Sequence, residues 1–159
     1  MLAPNLLPLQ RRTAHQWFCP TPTERNKQIA QQFCDATWGK GRLAVVDQFT
    51  SPDFIVDYPI LPAPLDRDGF KAWVSDVHTA LPDLQFTMTD VVGEGDKVVI
   101  AWTAEGTNTG PIGFLNLEAT RRSVRFSGII IYRLLEGRIV EERGEEDAIG
   151  LFKQLGLLG

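Results

Sequence analysis

Two kinds of side chain in this sequence could move protons near neutral pH: carboxylates towards the end of the chain, and a histidine. Glu142 is followed by the acidic run Glu145–Asp147, and His78 lies at the edge of an apolar helical pattern. Burial in an apolar cavity raises the pKa of a carboxyl group and makes it an effective general base near pH 7. Imidazole changes its charge in that range without any perturbation. Glu142 and His78 are therefore the candidate catalytic residues.

Each candidate also has an ordinary structural explanation. Glu142 could pair with a neighbouring arginine or lie at a wet pocket mouth, and His78 could be a hydrogen-bonded structural histidine. The run Glu145–Asp147 fits a solvated strand end followed by a helix cap, although one of its carboxylates could enter a pocket. The sequence leaves these alternatives open.

The pattern of histidines and cysteines does not indicate metal chemistry. The two histidines, His15 and His78, each lack a second histidine or a cysteine at metal-ligand spacing. The two cysteines do not resemble a disulfide framework, because Cys34 falls on the inner face of a predicted helix. We therefore expect no bound metal, and a reducing, cytoplasmic location.

Length and charge limit the class of protein further. The 159 residues suffice for one domain, and 43% hydrophobic with 23% charged residues is an ordinary globular balance. Sixteen basic against twenty acidic residues give a net charge of −4, the wrong sign for binding nucleic acid. The longest strongly apolar run, from Ile129 to Tyr132, is too short to span a membrane. We expect neither nucleic acid nor a membrane as a partner.

Helical patterns dominate the first half of the chain. Prolines punctuate residues 1–20, which we expect to form a loosely ordered extension before a domain over residues 21–159. Thr21, Pro22 and Glu24 form a capping box that predicts a first helix running to about Trp38. A short helix is predicted over 43–49 and an extended piece over 54–58. Helical spacing over 70–81 predicts a third helix.

Strand patterns dominate the second half. The hydrophobic period changes to two from Leu84, and the predicted strands then cover 84–92, 98–107, 124–134 and 138 to about 143. Asp147 is the expected cap of a last short helix. Helices first and long antiparallel strands afterwards are typical of an α+β domain in which helices cover one face of a curved sheet. Such a sheet can enclose a pocket.

Several motifs in order resemble one family. Ala80–Leu84, Gly95–Val99, Gly106–Gly110 and Glu136–Glu142, with Gln154–Gly156 at the end, resemble the SnoaL-like polyketide cyclases of the nuclear transport factor 2-like superfamily. The resemblance covers about residues 23–156. It implies a cone-shaped, curved, mostly antiparallel sheet (a cystatin-like fold) packed by N-terminal helices and a short C-terminal helix. It also implies a deep apolar cavity and a homodimer formed through the outer face of the sheet.

The resemblance carries the fold over better than the chemistry. Its characterised members close a polyketide ring by an aldol condensation without metal or organic cofactor, using an Asp as general acid/base and a nearby His. The motifs place Gly144 at the position of that Asp and Ile130 at the position of that His, and neither can move a proton. Glu142 lies two residues before Gly144 and so shares its face of the strand, which the resemblance makes the pocket face. It remains the best candidate base.

The predicted ligand-binding residues are those that the fold would bring to the pocket or its mouth. Aromatic residues at these positions are core by default, and Asn108, which replaces a second imidazole of the family, could simply cap a turn. With those alternatives, the predicted set is Asp57, Tyr58, Trp73, Trp102, Asn108, Ile130, Tyr132 and Gly144.

Three functions fit this sequence. The first is a cyclase-type enzyme that acts on a small hydrophobic oxygenated compound by cofactor-independent acid/base chemistry, either aldol cyclisation or isomerisation. The second is another enzyme of the superfamily, such as a hydroxylase helper or an epoxide hydrolase, although the Asp, Arg, Asp set of the latter is not found. The third is a non-catalytic binding or carrier protein with the same cavity.

Overall fold

Helices cover the first part of the domain, as the sequence predicts. A computed structural model describes residues 19–159, so the predicted extension lies outside the described residues up to residue 18. Helix α1 spans Pro22–Cys34, and the Thr21 side chain accepts the Glu24 N–H at 3.1 Å, which confirms Thr21 as the N-cap, while the Glu24 carboxylate accepts from Lys27. The helix then widens into a π-helical turn, Asp35–Gly39, that continues to the predicted end of the helix.

The next three elements complete the helical layer and begin the sheet. Helix α2 spans Val45–Phe49, strand β1 spans Thr50–Asp57 and helix α3 spans Arg67–Ala80. Asp66 caps α3 by accepting the Gly69 N–H at 2.9 Å. No helix within residues 19–159 is long and apolar enough to span a bilayer.

Five strands form one open, mixed sheet. Four strands follow α3, and they are β2 (Gln85–Glu94), β3 (Lys97–Thr107), β4 (Ser123–Leu135) and β5 (Arg138–Glu146). The sheet has the order β1-β5-β4-β3-β2, in which β1 pairs with β5 in parallel and every other pair is antiparallel. A last helix, α4, spans Ala148–Leu155 and packs against β4. The α+β fold and the mostly antiparallel sheet predicted from the sequence are confirmed.

The last strand is longer than the sequence predicts. β5 continues to Glu146, past the predicted end near Arg143, because Glu145 pairs with Ile129 and Glu146 with Gly128 on β4. Strand alternation then places Glu146 on the inner face and Glu145 on the outer face. The solvated strand end predicted for this acidic run is therefore correct for the exposed Glu145 only, and Asp147 caps α4 by accepting the Gly150 N–H at 2.8 Å.

The core lies between the helices and the inner face of the sheet. Phe33 of α1 packs on the rings of Phe54, Phe70 and Tyr132 with centroids 5.8–6.1 Å apart. The outer face of the sheet has no cover within the described chain, and Ile129 at its centre is 47% exposed. The helices thus close a cavity against one face only.

Candidate active site

A cavity opens between α3, α4 and the inner face of the sheet. It contains about 800 Å³ of space free of atoms, a volume that includes open solvent. The loop between β3 and β4 also contributes to its wall. Aromatic residues on the wall are Trp38, Tyr58, Trp73, Phe86, Trp102, Phe114, Phe126 and Phe152.

Three rows of paired residues cross the inner face of the sheet and set the positions of the polar groups. Each row contributes one residue from β3, one from β4 and one from β5, and successive rows are two residues apart. Along β5, the residues that point to the inner face of the sheet are therefore Glu142, Gly144 and Glu146. The rows are Val98, Tyr132 and Glu142; Ile100, Ile130 and Gly144; and Trp102, Gly128 and Glu146.

Glu142 is a fully buried carboxyl group behind the cavity wall. Its Oε1 accepts hydrogen bonds from the Trp38 Nε1 at 3.0 Å and the Tyr58 hydroxyl at 2.9 Å. Burial raises the pKa of Glu142 to about 7, against the opposing effect of the bonds from Tyr58 and Trp38. The arginine partner considered from the sequence is not among its contacts in the described chain. Glu142 itself does not line the cavity, whereas Tyr58 and Trp38 do.

Tyr58 lies over Gly144, the position at which the resemblance would place an Asp. A Cβ at Gly144 would overlap the Tyr58 ring and lie 2.7 Å from its hydroxyl oxygen. The Tyr58 ring also packs edge-on against Trp73, with centroids 4.9 Å apart. Glycine at 144 therefore makes the space in which Tyr58 connects the cavity with Glu142.

Glu146 is the residue that sequence reasoning left out of the candidate set. Among the described residues that line the cavity, it is the only charged one. Burial raises the pKa of Glu146 to about 7, and the charge of Glu145 adds to the rise. The signal that could have found it is the two-residue period from Glu142 through Gly144 to Glu146. Extending β5 by three residues, from Arg143 to Glu146, brings Glu146 to the same face as Glu142.

Two indoles of the cavity wall carry N–H groups without a partner. The buried Nε1 atoms of Trp73 and Trp102 form no hydrogen bond within residues 19–159. The Trp102 ring lies over Gly128, where a Cβ would come within 2.6 Å of it, and Gly128 is the cross-strand partner of Glu146. A buried unpaired N–H is costly, so an acceptor atom of a bound ligand would gain by pairing with it.

Asn108 lines the cavity, but its side-chain amide forms hydrogen bonds that hold the loop between β3 and β4. Its amide nitrogen donates to the Ala80 and Gly110 carbonyls at 3.0 and 2.8 Å. Its amide oxygen accepts from the N–H and the hydroxyl of Thr120 at 2.7 and 2.9 Å. These bonds use the whole hydrogen-bonding capacity of the amide, as the structural alternative for this residue predicts.

The other predicted site residues divide into two groups. Ile130 lines the cavity together with Tyr58, Trp73, Trp102 and Asn108. His78, by contrast, is half-buried, and its Nε2 lies 3.2 Å from the Thr37 carbonyl oxygen, away from the cavity wall. The residues of the predicted set that do not line the cavity are His78, the exposed Asp57, and the buried Tyr132, Glu142 and Gly144.

Comparison with known proteins shows the family of the chain. The profile of the SnoaL-like polyketide cyclase family matches residues 28–155. The chain belongs to this family. No curated protein matches the sequence of this SnoaL-like protein significantly.

Solved structures share its fold over most of the chain. A candidate polyketide cyclase from Acidithiobacillus ferrooxidans is 25% identical, covers 88% of this chain and 100% of its own, and superposes with a TM-score of 0.73. IdmH, a candidate polyketide cyclase from Streptomyces antibioticus, is 26% identical over 82% of this chain and 98% of its own, with a TM-score of 0.69. A protein with a ketosteroid isomerase-like fold from Catenulispora acidiphila is 16% identical over 81% and 92%, with a TM-score of 0.65.

The cavity of this SnoaL-like protein combines an apolar wall with a carboxyl group that can exchange a proton near neutral pH. Within residues 19–159, no group of three or more His, Cys, Asp and Glu side chains is arranged to hold a metal ion. The lining residues that carry polar side-chain groups are Glu146, Tyr58, Asn108 and the tryptophans Trp38, Trp73 and Trp102. This set can bind an apolar molecule that carries oxygen atoms and move protons to and from it.

Proposed function

We propose that this protein catalyses cofactor-independent acid/base chemistry on a small hydrophobic oxygenated compound, by aldol cyclisation or isomerisation. The observation that carries the proposal is the Glu146 carboxyl on an otherwise uncharged cavity wall. A carboxylate removed from water and with a pKa of about 7 is matched to abstracting a proton near neutral pH. The likeness to candidate polyketide cyclases supports the same class of reaction.

In this proposal Glu146 removes a proton from a carbon next to a carbonyl group. The resulting enolate either attacks a second carbonyl, which closes a ring, or accepts a proton at another carbon, which isomerises the compound. The apolar wall favours both outcomes because it excludes water that would otherwise solvate the base and quench the enolate.

The proposal is tested by hydrogen–deuterium exchange at the α-carbons of β-tetralone, a small aromatic ketone, followed by NMR in deuterated buffer. The protein should accelerate the exchange, and Glu146→Gln should reduce the acceleration by about 10²-fold or more, because Gln keeps the shape but cannot accept the proton. Glu145→Gln is the matched control, since Glu145 is the exposed neighbour on the other face of β5. A Glu146→Gln rate equal to that of the wild type, or tetralone binding without any acceleration, would contradict the proposal and favour a carrier protein.

We propose further that two copies of the chain pair through the outer face of the sheet. Ile129 pairs with Ala101 and Ile131 with Val99 across β3 and β4, which makes an apolar patch at the centre of that face. Covering such a patch with a second copy is favourable because it removes apolar surface from water. A cytoplasmic location is also part of the proposal, and the unpaired cysteines Cys19 and Cys34 fit a reducing compartment.

A further inference from the structure

The glycine at 144 is required by space and not by backbone conformation. The backbone of Gly144 is not among those with positive φ, so a residue with a side chain could adopt it. What a side chain would meet is the Tyr58 ring, which fills the volume directly above this glycine. The chain therefore carries a phenol where a side chain of residue 144 would otherwise stand.

Tyr58 is also the group that joins Glu142 to the cavity. Of the two donors to the Glu142 carboxyl, the Trp38 indole can only donate a proton, whereas the Tyr58 hydroxyl can both donate and accept one. The 2.9 Å contact can form with either group as donor, since the Tyr58 hydroxyl can donate to the carboxylate and accept from the protonated carboxyl group. Glu142 has no surface on the cavity and can affect a ligand only through these neighbours.

We infer that Tyr58 is a catalytic residue that transfers a proton to the carbonyl oxygen of the substrate, and that Glu142 is its positioning residue and resupplies that proton. This inference rests on the proposed function, in which Glu146 takes the proton from carbon. It extends that function by assigning the acid that complements the base.

The protons and electrons of the step balance within these three side chains. Glu146 takes the proton from the α-carbon, the C–H electron pair forms the C=C bond, and the carbonyl π pair moves to oxygen. Tyr58 gives its proton to that oxygen and receives the proton of Glu142. One carboxylate exists before the step and one after it, so no net charge is created in the low-dielectric cavity. The reverse sequence returns the ketone.

The arrangement predicts a bell-shaped dependence of rate on pH. The side chains that face Glu142 are Tyr58, Trp38 from the π-helical turn, Tyr132 from β4 and Cys34 from α1. Burial holds the pKa of Glu142 at about 7, so the protonated acid is present at neutral pH and is lost above it.

Ionisation of Glu146 produces the rising limb of the pH–rate profile. Burial raises the pKa of this carboxyl to about 7, the charge of Glu145 on the other face of the strand adds to the rise, and Glu146 in turn raises the pKa of Tyr58. The rate should rise with pH as Glu146 ionises and fall as Glu142 ionises. The state with one ionised and one protonated carboxyl is most populated near neutrality.

Two probe reactions separate the acid from the base. Exchange of β-tetralone needs both, because an enolate oxygen develops during proton removal. Elimination of nitrobenzisoxazole needs a base of the same kind, but its N–O bond breaks to a delocalised nitrophenolate that requires no proton donor. Tyr58→Phe keeps the ring over Gly144 and removes the hydroxyl alone. It should lower kcat for tetralone exchange by about 10²-fold with KM unchanged, and change nitrobenzisoxazole elimination less than about threefold.

Glu142→Gln tests the positioning residue without removing its hydrogen bonds. The Gln Oε1 can still accept from Trp38 and Tyr58, but the amide has no proton to pass on. The falling limb of the bell should disappear for tetralone exchange, and kcat at pH 7 should drop about tenfold. A purely structural role would leave the pH profile as it is.

The possible failures are distinguishable. If Glu146→Gln stops both probe reactions while Tyr58→Phe and Glu142→Gln match the wild type in both, the relay is overturned and the proposed function stands. If Glu146→Gln leaves both reactions unchanged, the proposed function itself fails. Loss of both reactions in a Tyr58→Phe protein that melts like the wild type would also overturn the relay, because it would make Tyr58 part of the base.

Discussion

Ionisation of Glu142 should make the folded protein less stable as pH rises. The pKa of this carboxyl is raised from 4.5 to about 7 by burial, so between these values the folded state holds a proton that the unfolded state has released. Stability then decreases with increasing pH, because the unfolded state binds fewer protons. The contribution is fully present below pH 4.5 and is lost as pH rises through about 7.

The size of the effect follows from the shift. Each pKa unit corresponds to about 1.4 kcal/mol, so a rise from 4.5 to about 7 corresponds to about 3 kcal/mol of unfolding free energy. For a chain of this length that is a change of about 6–12 °C in Tm. Glu142→Gln removes the ionisation while keeping the shape of the side chain. Its stability relative to the wild type should therefore improve by about 3 kcal/mol between pH 4.5 and pH 8.

The measurement is urea unfolding of the wild type and Glu142→Gln at half-unit steps over that pH range, followed by tryptophan fluorescence. Glu145→Gln is the control for a change of one charge on the same strand, and its curve should differ from that of the wild type only by the smaller effect of Glu145 on the pKa of Glu146. If the curve of Glu142→Gln also runs parallel to the wild type, the carboxyl is not desolvated and the reasoning about its burial is wrong.

Three further predictions concern space, assembly and the loop. Gly144→Ala should displace Tyr58, cost about 1–3 kcal/mol in urea unfolding and lower tetralone exchange as Tyr58→Phe does; an unchanged rate would refute the placement of the ring. Ile131→Lys should halve the mass found by sedimentation equilibrium, and an unchanged mass would refute the proposed interface. Asn108→Ala should lower the unfolding free energy by about 3 kcal/mol because it leaves buried hydrogen-bond partners unpaired, whereas Thr109→Ala, at an exposed position, should lower it little. Equal losses would contradict the conclusion that the hydrogen bonds of Asn108 hold the loop.

Hydrophobic periodicity was sufficient to predict most of the elements but not the end of the last strand. Three consecutive acidic residues, Glu145–Asp147, carry no apolar alternation, so the sequence alone favours a solvated end. Pairing with β4 decides otherwise, because Glu145 pairs with Ile129 and Glu146 with Gly128. The position of Glu146 depends on pairing with β4, which is distant in the sequence, and the local hydrophobic pattern carries no information about that pairing.

The environment of Glu142 is a second case in which long-range packing decides. The sequence places it correctly on the face of Gly144, since strand alternation fixes the direction of the side chain. Its partners come from elsewhere: Tyr58 precedes it by 84 residues and Trp38 by 104. The neighbouring Arg143 points to the other face of the strand and is exposed, which is why the arginine pair considered from the sequence does not form.

The central claim is that Glu146 is the base of this cavity, and the pH dependence of β-tetralone exchange tests it most directly. Rates of the wild type, Glu146→Gln and the control Glu145→Gln are measured by NMR from pH 5 to pH 9. The account predicts that the wild-type rate rises with pH as Glu146 ionises and falls again as Glu142 ionises, with its maximum near neutral pH, and that the rising limb is absent from Glu146→Gln. The control should keep both limbs, with its rising limb moved to lower pH because the charge of Glu145 helps to raise the pKa of Glu146. A rise of the same size and midpoint in Glu146→Gln would contradict it.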